Sequence, residues 1–175
     1  MADKVQSKSA SLGPIFKLDM FSSMSLVESM ILNTIDKPII LIGHSFGASD
    51  VIELAQRLPR VDLLVTIGYP DPARLYDTQI CIGFNGKTIA EWVINQRKVG
   101  SALRQINFYT DHWASDWLIN ETPIPGVENY LISPSSYQVE HSEADDEFLY
   151  NGLPNPAWEI ILSAIDDIID RYRNK

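Results

Sequence analysis

Cysteine is almost missing from this chain: Cys81 is the only one in 175 residues. No intrachain disulfide can form, which fits a reducing compartment, and the cytoplasm is the expected location. No apolar run approaches the roughly 20 residues that a membrane-spanning helix needs, so no membrane span is expected. The opening residues are small and polar, without the apolar core of a secretory signal. Basic charge is also short, with 14 lysines and arginines against 23 acids, a net charge of −9 and a pI near 4.7. Such a surface repels a phosphate backbone, so nucleic acid is not an expected partner, whereas neutral or cationic ligands are compatible with it. Neither an internal repeat nor a low-complexity tract is visible. Asp166, Asp167 and Asp170 lack both ligand spacing and a glycine turn, so they read as a solvated helix face; no metal and no cofactor is expected.

What is present fits one domain. The composition, 45% apolar and 21% charged, is that of a globular protein. A chain of this length buries roughly two-thirds of its unfolded surface. Residues 1–175 are read as a single unit, with 1–11 a flexible tail.

The stretch that organises the rest is 37–58, KPIILIGHSFGASDVIELAQRL. Residues 38–42 are apolar and β-branched without alternation, as in a parallel strand buried on both faces. Gly43 and Gly47 then bracket Ser45 in a G-x-S-x-G arrangement, where missing side chains allow a tight turn that lifts the serine hydroxyl clear of the sheet. An amphipathic helix follows, with Val51, Ile52, Leu54, Ala55 and Leu58 on one face. Its first N–H groups are aimed at the serine, where an oxyanion would be stabilised.

This strand, turn and helix resembles the nucleophile elbow of the α/β-hydrolase superfamily, the fold of lipases, esterases and thioesterases. The resemblance implies an α/β, three-layer sandwich with a short, mostly parallel sheet of about four to five strands. Only about forty-four residues precede Ser45, room for at most one strand and one helix, so the fold is expected in truncated form. No HG-type oxyanion loop is found in that N-terminal part. The resemblance implies that Phe46, next after the nucleophile, gives one oxyanion N–H; the second donor is unassigned.

The remaining elements follow from periodicity. Residues 14–21 alternate as a short edge strand. Ser22 or Ser23 caps a helix running to about Ile35, with Leu26, Met30, Ile31 and Leu32 as its apolar face. Residues 63–67 (LLVTI) form a second buried strand, 87–99 have helical spacing, 102–109 form a third strand and 127–132, with 137–139 nearby, a last one. Strand alternating with helix is the pattern of a parallel sheet. Asn155-Pro156 starts a final amphipathic helix, 157–173, with Ile160, Ile161, Ala164, Ile165, Ile168 and Ile169 on one side.

A serine hydroxyl needs a base in hydrogen-bond reach and an acid to hold that base in the right tautomer. Three histidines are present. His44 lies inside the elbow and is expected to point away from Ser45, and His112 sits in a Trp-rich loop. His141 comes after the last strand and before the last helix, where the resemblance places the base, so His141 is preferred. The chain order of the fold, serine then acid then histidine, leaves Asp71 and Asp111 nearly equal as the acid, with Asp116 behind them. Trp113, Trp117, Tyr69, Phe46 and Phe84 are candidates for the wall of a pocket for a small acyl substrate. The implied activity is cleavage of carboxylic esters or thioesters through an acyl-enzyme on Ser45. The alternative is a catalytically inactive hydrolase-like binding or partner module. An uncovered parallel edge invites association, so a homodimer is a further expectation.

Overall fold

The computed structural model describes residues 16, 23–34, 36–44, 46–68, 98–109, 123–131, 148–149, 153–154 and 156–174. In chain order these carry α1 (Met24–Leu32), β1 (Ile40–His44), α2 (Phe46–Arg57), β2 (Leu63–Ile67), β3 (Gln105–Tyr109), β4 (Glu128–Leu131), β5 (Phe148–Leu149), β6 (Leu153–Pro154) and α3 (Pro156–Arg173). The first four strands form one sheet in the order β1-β2-β3-β4, and every pair in it is parallel. β5 and β6 pair antiparallel in a separate two-stranded sheet.

Helices cover both faces, giving the three-layer α/β architecture expected from the sequence. Because side chains alternate along a strand, Leu63, Val65 and Ile67 of β2 pack with Ile106 and Phe108 of β3 on the face covered by α3. Ile161, Ala164, Ile165, Ile168 and Ile169 fill that layer from the helix side. On the opposite face Leu41 and Leu64 pack with Ile52, Leu54, Ala55 and Leu58 of α2 and with Val27 and Ile31 of α1.

Three expectations shift in detail. The elbow strand runs Ile40–His44 rather than 38–42. Pro38 has no N–H to give, and the N–H of Ile39 goes to the Asp62 carboxylate at 2.9 Å instead of the ladder, so regular pairing begins at Ile40 opposite Leu63. In α1 the buried residues are Val27 and Ile31. Leu26 and Leu32 are exposed instead, because the i, i+4 pair that faces α2 turns its neighbours outward. Ser23 is the N-cap, but its side chain makes no capping hydrogen bond. The third strand is trimmed to Gln105–Tyr109, with Ala102 held only by a parallel bridge to Val61.

α3 runs antiparallel to the sheet. Near its end the Tyr172 hydroxyl donates to the Asp62 carboxylate at the start of β2, 3.2 Å from each oxygen. One turn earlier Asp167 pairs with Arg104 just before β3, at 3.2 Å. Residues 157, 158, 161, 164 and 165 stay buried along the same apolar layer. The first turn of α3 therefore lies toward the end where the strands exit.

Candidate active site

The junction of β1 and α2 is as tight as its glycines suggest, though the two glycines do different work. β1 ends at His44 and α2 begins at Phe46, on either side of Ser45, which itself lies outside the described residues. A Cβ on Gly43 would meet the Gly47 carbonyl oxygen at 2.2 Å and Val51 Cγ2 at 2.6 Å. Gly43 therefore sets how closely the first turn of α2 lies against β1. At Gly47 the reading changes: a Cβ meets nothing within 4 Å among the described residues. Among the described residues the close approach in this motif is carried by the first glycine.

Phe46 opens α2 at the position where a backbone N–H has no intrahelical acceptor, and no acidic side chain sits in that first turn to offset the positive end of the helix. His44 is half-buried as the last residue of β1. By alternation it shares the side of Ile40 and Ile42, which pack toward α3, while Gly43 faces α2.

His141, Asp71, Asp111, Asp116 and His112 all lie outside the described residues, as do the pocket-wall candidates Tyr69, Phe84, Trp113 and Trp117. The described residues that precede the segments of the catalytic candidates lie at one end of the sheet. Asp71 follows β2, which ends at Ile67; Gly68, with φ 55°, takes the chain out of the strand while its N–H still donates to Phe108 O at 3.1 Å. Asp111 comes two residues after β3, which ends at Tyr109. His141 falls between the end of β4 at Leu131 and the first turn of α3. Each segment thus leaves or rejoins the sheet at the end where β1 delivers the chain to Ser45.

A forked ion pair stands at the opposite end. Arg104 Nε and a terminal nitrogen donate to the two oxygens of Glu128 at 2.9 and 3.0 Å. That fork holds the Glu128 carboxyl below its ordinary range, chiefly through the hydrogen bonds from Arg104, and raises Arg104. Nearby, the buried Asp62 carboxylate accepts from Ile39 N and Tyr172 and pairs with Arg60 at 3.3 Å. Burial first, and then the Asp62 charge, push the Tyr172 hydroxyl above its ordinary value. These groups stand where strands begin, so they fasten α3 rather than take part in the elbow.

Sequence reading missed one set of residues on the elbow side: Thr66, Asn107 and Asn129, a polar row across β2, β3 and β4. The available signal was a hydroxyl or amide set among apolar neighbours in LLVTI and QINFY; in ENYL, where Asn129 follows Glu128, there was none.

No protein-family model matches this chain, and no curated protein sequence matches it. Among solved structures the chain is similar to the crystal structure of the esterase domain from a Rhodothermus marinus protein, with a TM-score of 0.46 and 18% sequence identity. The match covers 72% of this chain and 60% of that one, so the chain spans about 60% of its length. Among the described residues no helix is long and apolar enough to cross a membrane.

Proposed function

We propose that the chain is a serine hydrolase acting on carboxylic esters or thioesters, with Ser45 as nucleophile and His141 as base. Asp71 or Asp111 completes the triad, with Asp116 behind them. One observation carries the reading. Ser45 stands between a buried parallel strand and a helix packed so closely that Gly43 tolerates no side chain. The segments holding the other candidates depart from or return to that same end of the sheet.

In this reading His141 takes the hydroxyl proton of Ser45 as the oxygen attacks the acyl carbonyl. The tetrahedral oxyanion accepts a hydrogen bond from the Phe46 N–H at the start of α2. Collapse expels the alcohol or thiol, which leaves with the proton from His141. Water then gives a proton to His141 as its oxygen attacks the acyl carbon, and the bond to the Ser45 oxygen breaks as that oxygen takes the proton back from His141, releasing the acid. The aspartate holds the imidazole in the tautomer that can accept from serine.

A second reading has an observation of its own. Among the described residues no strand pairs with the outer edge of β1, so none supplies a second oxyanion donor from that side. A binding or partner module that keeps the elbow without turnover fits that edge, and a homodimer is one way of covering it. Incubation with a fluorophosphonate probe separates the two readings. Labelling that vanishes in Ser45→Ala and falls by about 10³ or more in His141→Ala supports the hydrolase. Folded wild-type protein that takes no label supports the module.

A further inference from the structure

β3 turns two amides away from α3. Gln105 and Asn107 are both buried, yet neither lacks a partner. Gln105 Oε1 accepts from the Val99 N–H at 2.8 Å. Asn107 is the middle of a longer row. The Thr66 hydroxyl donates to Asn107 Oδ1 at 2.9 Å, and Asn107 Nδ2 donates to Asn129 Oδ1 at 3.0 Å. That oxygen also accepts the Ile124 N–H at 2.8 Å, while Asn129 Nδ2 donates to the carbonyls of Ile124 at 2.8 Å and Val127 at 3.0 Å. The amides therefore join three strands and the segment that leads into β4.

The register puts this row beside the elbow. Gly43 is opposite Thr66, Thr66 opposite Asn107, and Asn107 opposite Asn129. All lie level with Gly43, one residue before β1 ends at His44. Burial alone does not call for amides here, since apolar side chains would fill the same row without needing partners. What amides add is direction. A slip of one residue in β3 would turn Asn107 to the other face and break both of its bonds.

We propose that Thr66, Asn107 and Asn129 form a positioning row. It fixes the exits of β2, β3 and β4, together with segment 123–127, at one height relative to the β1–α2 junction. The acid and base segments then depart in register with Ser45, a consequence that rests on the serine hydrolase reading. The fixing of segment 123–127 does not rest on it.

Two variants test the row. Asn107→Leu breaks it at the centre, and Thr66→Val combined with Asn107→Leu makes both positions apolar, which restores stability because no buried hydroxyl is left without an acceptor. Hydrogen exchange is followed at the Ile124 amide, with the Leu64 amide, bonded to Arg104 O near the start of β2, as an internal reference. Fluorophosphonate labelling is followed across pH. The row predicts that both variants exchange Ile124 about tenfold faster at an unchanged Leu64, and that both label about tenfold more slowly even where the double variant melts like wild type. Unchanged protection of Ile124 in both variants overturns the row. A labelling rate that recovers together with stability in the double variant overturns its positioning role. If wild-type protein takes no label at Ser45 the hydrolase reading fails, and the exchange of Ile124 still decides whether the row holds its segment.

Discussion

Replacing Gly43 with alanine adds one methyl group where the structure leaves no room for it. The new carbon falls 2.2 Å from the Gly47 carbonyl oxygen and 2.6 Å from its carbon, both well short of the ordinary contact range, which begins at 3.4 Å. Val51 Cγ2, also at 2.6 Å, is a side-chain atom, but the other two belong to the backbone of the first turn of α2. Relief therefore requires the helix to lift from β1 by about the missing distance, and Ile52 and Leu41 lose part of their burial with it. Overpacking of this kind costs about 1–3 kcal/mol, and the backbone contact puts Gly43→Ala at the upper end. Urea unfolding followed by tryptophan fluorescence should show that loss as a lower midpoint at unchanged slope. In the hydrolase reading, moving the first N–H groups of α2 by about 1 Å slows acylation by roughly 10² as well. Gly47→Ala is the control. With open space around its Cβ among the described residues and a helical backbone, it should be neutral or more stable by about 0.4–1 kcal/mol. A Gly43→Ala protein that unfolds at the wild-type urea concentration, or a Gly47→Ala protein that loses more than Gly43→Ala, would refute the packing argument.

Three further outcomes are expected. Ser45→Ala should abolish fluorophosphonate labelling and change the unfolding free energy by no more than about 0.5 kcal/mol; residual labelling would move the nucleophile elsewhere. Glu128 is held below its unfolded value near 4.5 by Arg104, so its contribution is complete above that value and is lost as pH falls through the lower folded value. Between pH 5 and pH 3 wild-type protein should lose more stability than Glu128→Gln, and equal losses would count against the Arg104 fork. Tyr172 is shifted the other way, above its ordinary value near 10, so its contribution is complete below pH 10 and is lost as pH rises through the raised folded value. Tyr172→Phe should be less stable at neutral pH by about 1 kcal/mol, for the hydroxyl bonds to Asp62. It should also lose less than wild type above pH 10; parallel alkaline curves for the two proteins would contradict this.

The apolar run 63–67 became β2 without alteration, because a strand buried on both faces needs no partner-specific information beyond its hydrophobicity. The stripe of isoleucines in α3 was equally legible, and Ile161, Ile165 and Ile168 are buried as its spacing predicts. Less could be read where two candidate faces compete. In α1 the sequence offers Leu26, Met30, Ile31 and Leu32, but the helix is set down on Val27 and Ile31 by the shape of α2 beneath it. At the elbow the sequence gives two glycines equal standing, and only the packed helix distinguishes Gly43 from Gly47.

Local periodicity is written into neighbouring residues, so α1, β1, α2, β2, β3, β4 and α3 stand in the order expected from the chain alone, whereas the short β5–β6 pair was not foreseen. The meeting of Thr66 with Asn107, 41 residues apart, and of Asp62 with Tyr172, 110 apart, was settled only when the strands took their register and α3 lay down across them. A hydrogen bond needs its two atoms within about 3 Å, and no pattern within one segment states which distant segment will arrive there.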